Sequence, residues 1–140
     1  SFVMFCKSLI FLKHQQVKVI QAYYKKKPIL GICMGHQAIA ECFGGELNNL
    51  SEVFHGVETA IFTQKDYLFK DCPKVLKVGR YHSWAVSKTL PESLESIAED
   101  KNKINMALRH KNYDVRGLQF HPESILTPQG FQIIKNWVNH

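Results

Sequence analysis

Pro28-Ile29-Leu30-Gly31-Ile32-Cys33-Met34-Gly35-His36-Gln37-Ala38-Ile39-Ala40 is the stretch on which the fold turns. Its first half is a short apolar run opened by proline, the pattern of a strand buried on both faces. From His36 the apolar positions Ala38, Ile39, Cys42 and Phe43 fall on one side of a helix, and Gly44-Gly45 supplies its stop. Only a residue or two separates strand from helix. Upstream, Val17, Ile20 and Tyr24 recur at helical spacing, so a helix leads into the strand and the class is α/β.

Working outward, Val53 to Phe62 and Val75 to Tyr81 read as strands, with Asp71-Cys72-Pro73 as a breaker between them. Ile104, Met106 and Leu108 alternate with Asn105, Ala107 and Arg109. A turn near Lys111-Asn112 then leads to Val115 to Phe120, which predicts an antiparallel hairpin and therefore a mixed sheet. Thr127-Pro128 fits an N-cap followed by proline at the first helical position, with Phe131, Ile134 and Val138 on one face of a terminal helix. No repeat, linker or low-complexity segment interrupts the 140 residues, a length suited to a single domain, residues 1–140.

Gly31-Ile32-Cys33-Met34-Gly35 has the form G-x-C-x-G, the cysteine counterpart of a nucleophile elbow. Glycines on both sides let the chain reverse sharply, so that Cys33 stands at the end of the strand and at the N-terminus of the helix, where a thiolate is favoured. Free cysteine is equally at home as a small buried apolar residue, so this motif alone decides nothing. A second constellation weighs against that. In Gly117-Leu118-Gln119-Phe120-His121-Pro122-Glu123-Ser124, proline holds His121 extended at a strand end, and the break at Pro122 lets the Glu123 carboxylate fold back onto the imidazole. Nucleophile, base and orienting carboxylate are then all present as Cys33, His121 and Glu123. His14, His110 and His140 read as surface or packing residues.

A net charge of +6 raises the question of nucleic acid, but the basic residues are scattered and the one dense run, Lys25-Lys26-Lys27, suits a solvated helix end before Pro28. No nucleic-acid or membrane partner is expected, since Ser1 to Leu12 is too short to span a bilayer and lacks the marks of a leader. Cys6, Cys33, Cys42 and Cys72 are spaced too irregularly for a zinc pair, and no disulfide framework is needed, which fits a reducing, cytoplasmic setting without metal or other cofactor.

The segment from Pro28 to Ala40, together with Phe120-His121-Pro122-Glu123-Ser124 and Thr127-Pro128-x-Gly130, resembles the class I glutamine amidotransferases over about residues 17 to 140. Within that class His36-Gln37-Ala38, Arg80-Tyr81-His82-Ser83 and Thr-Pro-x-Gly resemble the amidotransferase component of anthranilate synthase and of aminodeoxychorismate synthase. The resemblance implies a flavodoxin-like α/β fold with a mixed, mostly parallel sheet and flanking helices, glutamine as substrate, and a chorismate-using synthase subunit (component I) as partner in a hetero-oligomer. It assigns Cys33, His121 and Glu123 to the triad, the Met34 N–H to the oxyanion, Gln37 to a glutamine contact, and the backbone of Ser83 and Trp84 to the amino acid end of the substrate. Trp84 stands where leucine is usual.

The family also has two βα units and a Gly-Pro-Gly loop ahead of its cysteine, and Ser1 to Gln16 resembles neither. The expectation is thus a chain without the first βα units, with the sheet edge beside Pro28 to Cys33 uncovered. Such a chain could be impaired in catalysis or non-catalytic, because one oxyanion donor is worth roughly a hundred- to a thousandfold in rate.

Overall fold

The computed structural model describes residues 2–4 and 10–140. Strands β1 (Phe2–Met4), β2 (Ile29–Ile32), β3 (Leu47–Thr63), β4 (Val75–Val86), β5 (Leu94–Asp100), β6 (Asn105–His110) and β7 (Val115–Leu118) form one sheet in the order β1-β2-β7-β6-β5-β3-β4. Helices α1 (Ile10–Tyr23), α2 (Met34–Cys42) and α3 (Gly130–Val138) flank it, and a single helical turn at Tyr67–Phe69 precedes β4. Two faces of the sheet are sealed separately. Leu30, Ile32, Leu118, Phe120, Ile133 and Trp137 belong to one buried cluster, and Ile20, Ile29, Ala38, Ile39 and Val115 to the other. Strand β2 contributes to both, as its unbroken apolar run predicts.

The sheet is mixed, as expected, but its balance differs from the expectation of a mostly parallel one. Pairs β1–β2 and β2–β7 are parallel, whereas β7–β6, β6–β5, β5–β3 and β3–β4 are antiparallel. The parallel part is confined to the strands on either side of β2: α1 is the crossover from β1 to β2, and β2 connects to β7 through α2 and strands β3 to β6. The expected bare edge is also corrected, since Phe2–Met4 lies parallel to Ile29–Gly31 and covers it. Of the rest of the atypical start, residues 10–16 open helix α1, and residues 1 and 5–9 lie outside the described residues.

Helix α1 ends at Tyr23, and the N–H groups of Lys26 and Lys27 both bond to the Tyr23 carbonyl, so the three lysines lie just past the helix, exposed to water. Gly44, at φ 92°, and Gly45 close α2 by bonding to Glu41 and Ala40. The hairpin predicted around Lys111-Asn112 is β6–β7. Strands β3 and β4 run longer than their sequence patterns suggest, which brings His82, Ser83 and Trp84 into β4. Strand β5 has no counterpart in the pattern, because bulges around Ser96 to Glu99 interrupt its alternation.

Thr127 does not cap α3. The helix begins at Gly130 after Gln129, with no side-chain cap. Instead the Thr127 hydroxyl donates to the His121 carbonyl at 2.7 Å and accepts the Gly79 N–H at 2.9 Å.

Candidate active site

Cys33 sits between β2 and α2 at φ 55° and ψ −101°, a left-handed conformation that costs a residue with a side chain about 1–3 kcal/mol. The flanking glycine explains how the chain tolerates so tight a corner. A Cβ on Gly31 would lie 2.5 Å from the Gly35 carbonyl and 2.7 Å from Ile39 Cδ1, so only glycine lets α2 close onto β2. The Cys33 N–H bonds to the Leu118 carbonyl at 2.7 Å, and Gln37 N–H bonds to the Cys33 carbonyl at 3.1 Å. The thiol, 4% exposed, therefore stands at the carboxyl end of β2 and the amino end of α2, where the partial positive charge of the first-turn N–H groups, Met34 among them, favours an anion.

His121 and Glu123 meet as the proline break predicts. His121 Nδ1 lies 2.6 Å from Glu123 Oε1, with the carboxylate side chain half exposed. The His121 N–H bonds to Gly79 O at 3.1 Å. One ledge of β4 links this pair to the cysteine: Cys33 Sγ is 3.9 Å from the Tyr81 carbonyl, and the His121 ring packs edge to face on the Tyr81 ring with centroids 5.0 Å apart. The Tyr81 hydroxyl in turn lies 3.0 Å from Ser124 Oγ.

The other sequence-predicted residues line the same region. Gln37 is buried, and its Nε2 donates to the Trp84 carbonyl and to Gln119 Oε1, both at 3.1 Å. The Trp84 carbonyl also meets His82 Nδ1 at 2.8 Å, while the indole itself is exposed. Ser83 lies between them, partly buried on β4.

Behind β4, Arg80 and Asp100 form a fully buried ion pair at 2.7 Å. Arg80 Nε donates to His82 Nε2 at 3.0 Å, and the guanidinium lies 3.5 Å from the centroid of Phe54. Burial, with Arg80 adding to it, holds His82 down to about 4 despite the opposing bond to Trp84, so this ring is neutral near pH 7. His36 is fully buried with its ring against Gly117, and burial lowers it to about 3 despite an opposing contact with the Gly117 backbone.

Gln119 is the residue that sequence reasoning overlooked. Fully buried, it places Nε2 3.8 Å from Cys33 Sγ. A polar amide in the otherwise apolar run Leu118-Gln119-Phe120, two positions before His121, was the available signal. His110 is a packing residue, its Nδ1 accepting the Asn112 and Tyr113 N–H groups among aromatic neighbours. Terminal His140 stacks on Tyr67, and His14 is exposed. Among the described residues no group of three or more His, Cys, Asp or Glu is disposed to hold a metal ion, and no helix is long and apolar enough to cross a membrane.

A sulfur at a helix N-terminus and an imidazole bonded to a carboxylate, sharing one ledge, suit attack on a carbonyl carbon. Comparison with known proteins narrows this. The chain is 42% identical over 132 residues to anthranilate synthase component 2 of Methanocaldococcus jannaschii, covering 87% of this chain and 65% of that one. It is 39% identical over 122 residues to aminodeoxychorismate synthase component 2 of Escherichia coli, covering 86% and 65%. Against the multifunctional tryptophan biosynthesis protein of Pichia angusta it is 43% identical over 122 residues, 86% of this chain and 33% of that one. The chain thus spans less than two thirds of the length of these relatives. A solved Thermotoga maritima glutamine amidotransferase shares its fold at TM-score 0.76 and 20% identity, covering 98% of this chain and 60% of that one. Residues 12–140 match the model of the glutamine amidotransferase class-I family. This chain belongs to the class-I glutamine amidotransferases.

Proposed function

We propose that the chain is the glutamine-hydrolysing part of a chorismate-aminating synthase, anthranilate synthase component II, acting in the cytoplasm through a Cys33, His121 and Glu123 triad. Cys33 thiolate attacks the side-chain carboxamide of glutamine, and the Met34 N–H stabilises the resulting oxyanion. His121 protonates the departing ammonia while Glu123 holds the ring by Nδ1. Water activated by the same imidazole then hydrolyses the glutamyl thioester, releasing glutamate. Gln37 and the backbone of Ser83 and Trp84 border the glutamine, and the ammonia passes to a component I subunit that aminates chorismate.

One observation carries the reading: Cys33, strained at φ 55°, and the His121–Glu123 pair at 2.6 Å both pack on Tyr81 of β4. The relatives' names support the choice of synthase. A second reading, the glutaminase of aminodeoxychorismate synthase, is favoured by the 39% identity to the E. coli component.

The test is to assemble the protein with each purified synthase subunit and follow both products with glutamine or with ammonium as nitrogen source. Cys33→Ser is expected to abolish the glutamine-driven reaction and spare the ammonium-driven one. Equal glutamine use by Cys33→Ser and the parent chain would overturn the assigned role, and the subunit that stimulates glutamine hydrolysis identifies the pathway.

A further inference from the structure

We propose that Gln119 is a further catalytic residue of this site, its carboxamide N–H donating to the Cys33 sulfur and favouring the thiolate. The inference rests on the glutaminase reading only for what the thiolate is used for; the donor itself follows from the geometry.

Hydrogen-bond directions along the chain leading to Cys33 are forced at each end. Arginine has donors only, so Arg80 Nε must donate to His82 Nε2, which leaves the proton of the neutral ring on Nδ1, aimed at the Trp84 carbonyl. A carbonyl oxygen accepts only, so the end of Gln37 that lies 3.1 Å from Trp84 O is its NH2 group. That same nitrogen faces the Gln119 side chain at 3.1 Å, and the atom it meets must be Oε1. The amide orientation of Gln119 is then fixed, with its NH2 group 3.8 Å from Cys33 Sγ. The distance is within reach for sulfur, a large and soft acceptor.

The second contact of the sulfur acts in the opposite sense. A thiol can donate to the Tyr81 carbonyl, 3.9 Å away, whereas a thiolate gains nothing there. Gln119 and the first turn of α2 favour the anion, and Tyr81 O favours the protonated form. Because Gln119 is fully buried and held by Gln37, it needs no reorganisation when charge appears on the sulfur. Arg80, His82 and Gln37 act through Gln119 and are positioning residues.

Other titratable groups around the cysteine are His36 on α2, Tyr81 and His82 on β4, and His121 and Glu123 after β7. His36 and His82 are neutral near pH 7. The His121–Glu123 pair is common to every variant compared below. Burial pushes the Cys42 and Cys72 thiols up, Asp71 adding to the effect at Cys72, so neither titrates ahead of a favoured Cys33.

The experiment compares the parent chain with Gln119→Met, which keeps the shape and removes the donor, and Gln119→Glu, which adds negative charge beside the sulfur. Peptide mapping follows Cys33 alkylation by iodoacetamide as a function of pH. With Gln119→Met the midpoint is expected to move to higher pH and alkylation at neutral pH to slow by roughly three- to tenfold, the scale of one ordinary intramolecular hydrogen bond. Gln119→Glu is expected to slow it further. Gln37→Leu, which frees the Gln119 amide to turn, tests the same point should Gln119→Met fail to fold. An unchanged midpoint in a folded Gln119→Met, or in folded Gln37→Leu, overturns the proposal. Glutaminase assays of the assembled enzyme report separately: a shifted midpoint without glutamine hydrolysis in the parent leaves the donor standing and removes the proposed function.

Discussion

Thr127 holds His121 in place from six residues downstream, its hydroxyl donating to the His121 carbonyl at 2.7 Å. The same oxygen accepts the Gly79 N–H at 2.9 Å, and the His121 N–H bonds to the Gly79 carbonyl at 3.1 Å, so strand end, loop and β4 are closed into one ring of bonds. Thr127→Val keeps the shape, strands the buried Gly79 N–H and takes one of two donors from the His121 carbonyl, which keeps the Ser124 N–H at 3.1 Å. It is expected to lower stability by about 1–3 kcal/mol in urea unfolding. It should also reduce kcat for glutamine, since the ring of bonds aims the imidazole. A variant with the stability loss but unaltered kcat would show that the packing of Pro122 and Tyr81 suffices to hold His121.

The His121–Glu123 contact yields a second prediction. Glu123 is half exposed, so its worth lies in fixing the ring rather than in buried charge. Glu123→Gln preserves a hydrogen-bond partner for Nδ1 but withdraws the negative charge that, on the proposed mechanism, stabilises the imidazolium, and it is expected to lower kcat with KM little changed. On the proposed mechanism His121→Ala removes the acid and base altogether and should cost about a hundred- to ten-thousandfold. Steady-state glutaminase kinetics of the assembled enzyme measure both. A Glu123→Gln enzyme as impaired as His121→Ala would mean that the carboxylate itself handles the proton.

How far the residues announced this arrangement depends on the range of the interaction. The corner at Cys33 is local, set by Gly31 and the apolar run before it, and both could be read directly. The fold-back of Glu123 is likewise local to Pro122. Thr127 looked like a helix cap because its sequence neighbours suit one, and its bonds to His121 and Gly79 belong to tertiary contacts that no short window contains. Gln119 was hidden for the same reason: nothing near it in sequence says that Gln37 and Cys33 flank its side chain. The parallel and antiparallel balance of the sheet follows from where β5 inserts, and bulges erase the alternation that would have announced that strand.

Gly130 gives a test of the loop between the strand end and α3. An added Cβ there would run into the backbone carbonyl of Pro122, between His121 and Glu123, and a backbone obstacle cannot swing aside. Gly130→Ala is expected to destabilise by about 1–3 kcal/mol and to lower kcat by displacing the pair. Gly44→Ala is the contrast, a glycine at φ 92° with open space around its Cβ, where only local strain is felt and glutamine kinetics should not change. Equal kinetic effects from the two would remove the argument that Pro122 transmits the change to His121.

Acid should unfold the protein through its buried neutral histidines. His82 is held at about 4 and His36 at about 3, in each case chiefly by burial, against 6.5 for an unperturbed ring. The unfolded chain therefore binds more protons than the folded one between these values, and stability rises with pH across that interval. The contribution is fully present above about pH 6.5. It is lost as pH falls toward 4 for His82 and continues to fall toward 3 for His36. Together the two rings are expected to withdraw on the order of a few kcal/mol over this range. His36→Met offers the cleaner check, because its ring bonds to no other side chain, whereas His82 joins Arg80 to Trp84. Urea unfolding at a series of pH values should give a shallower acid slope for His36→Met than for the parent. Superimposable slopes would place the acid sensitivity elsewhere, with the buried Arg80–Asp100 pair the next group to test, since protonating Asp100 leaves the guanidinium without its counter-charge.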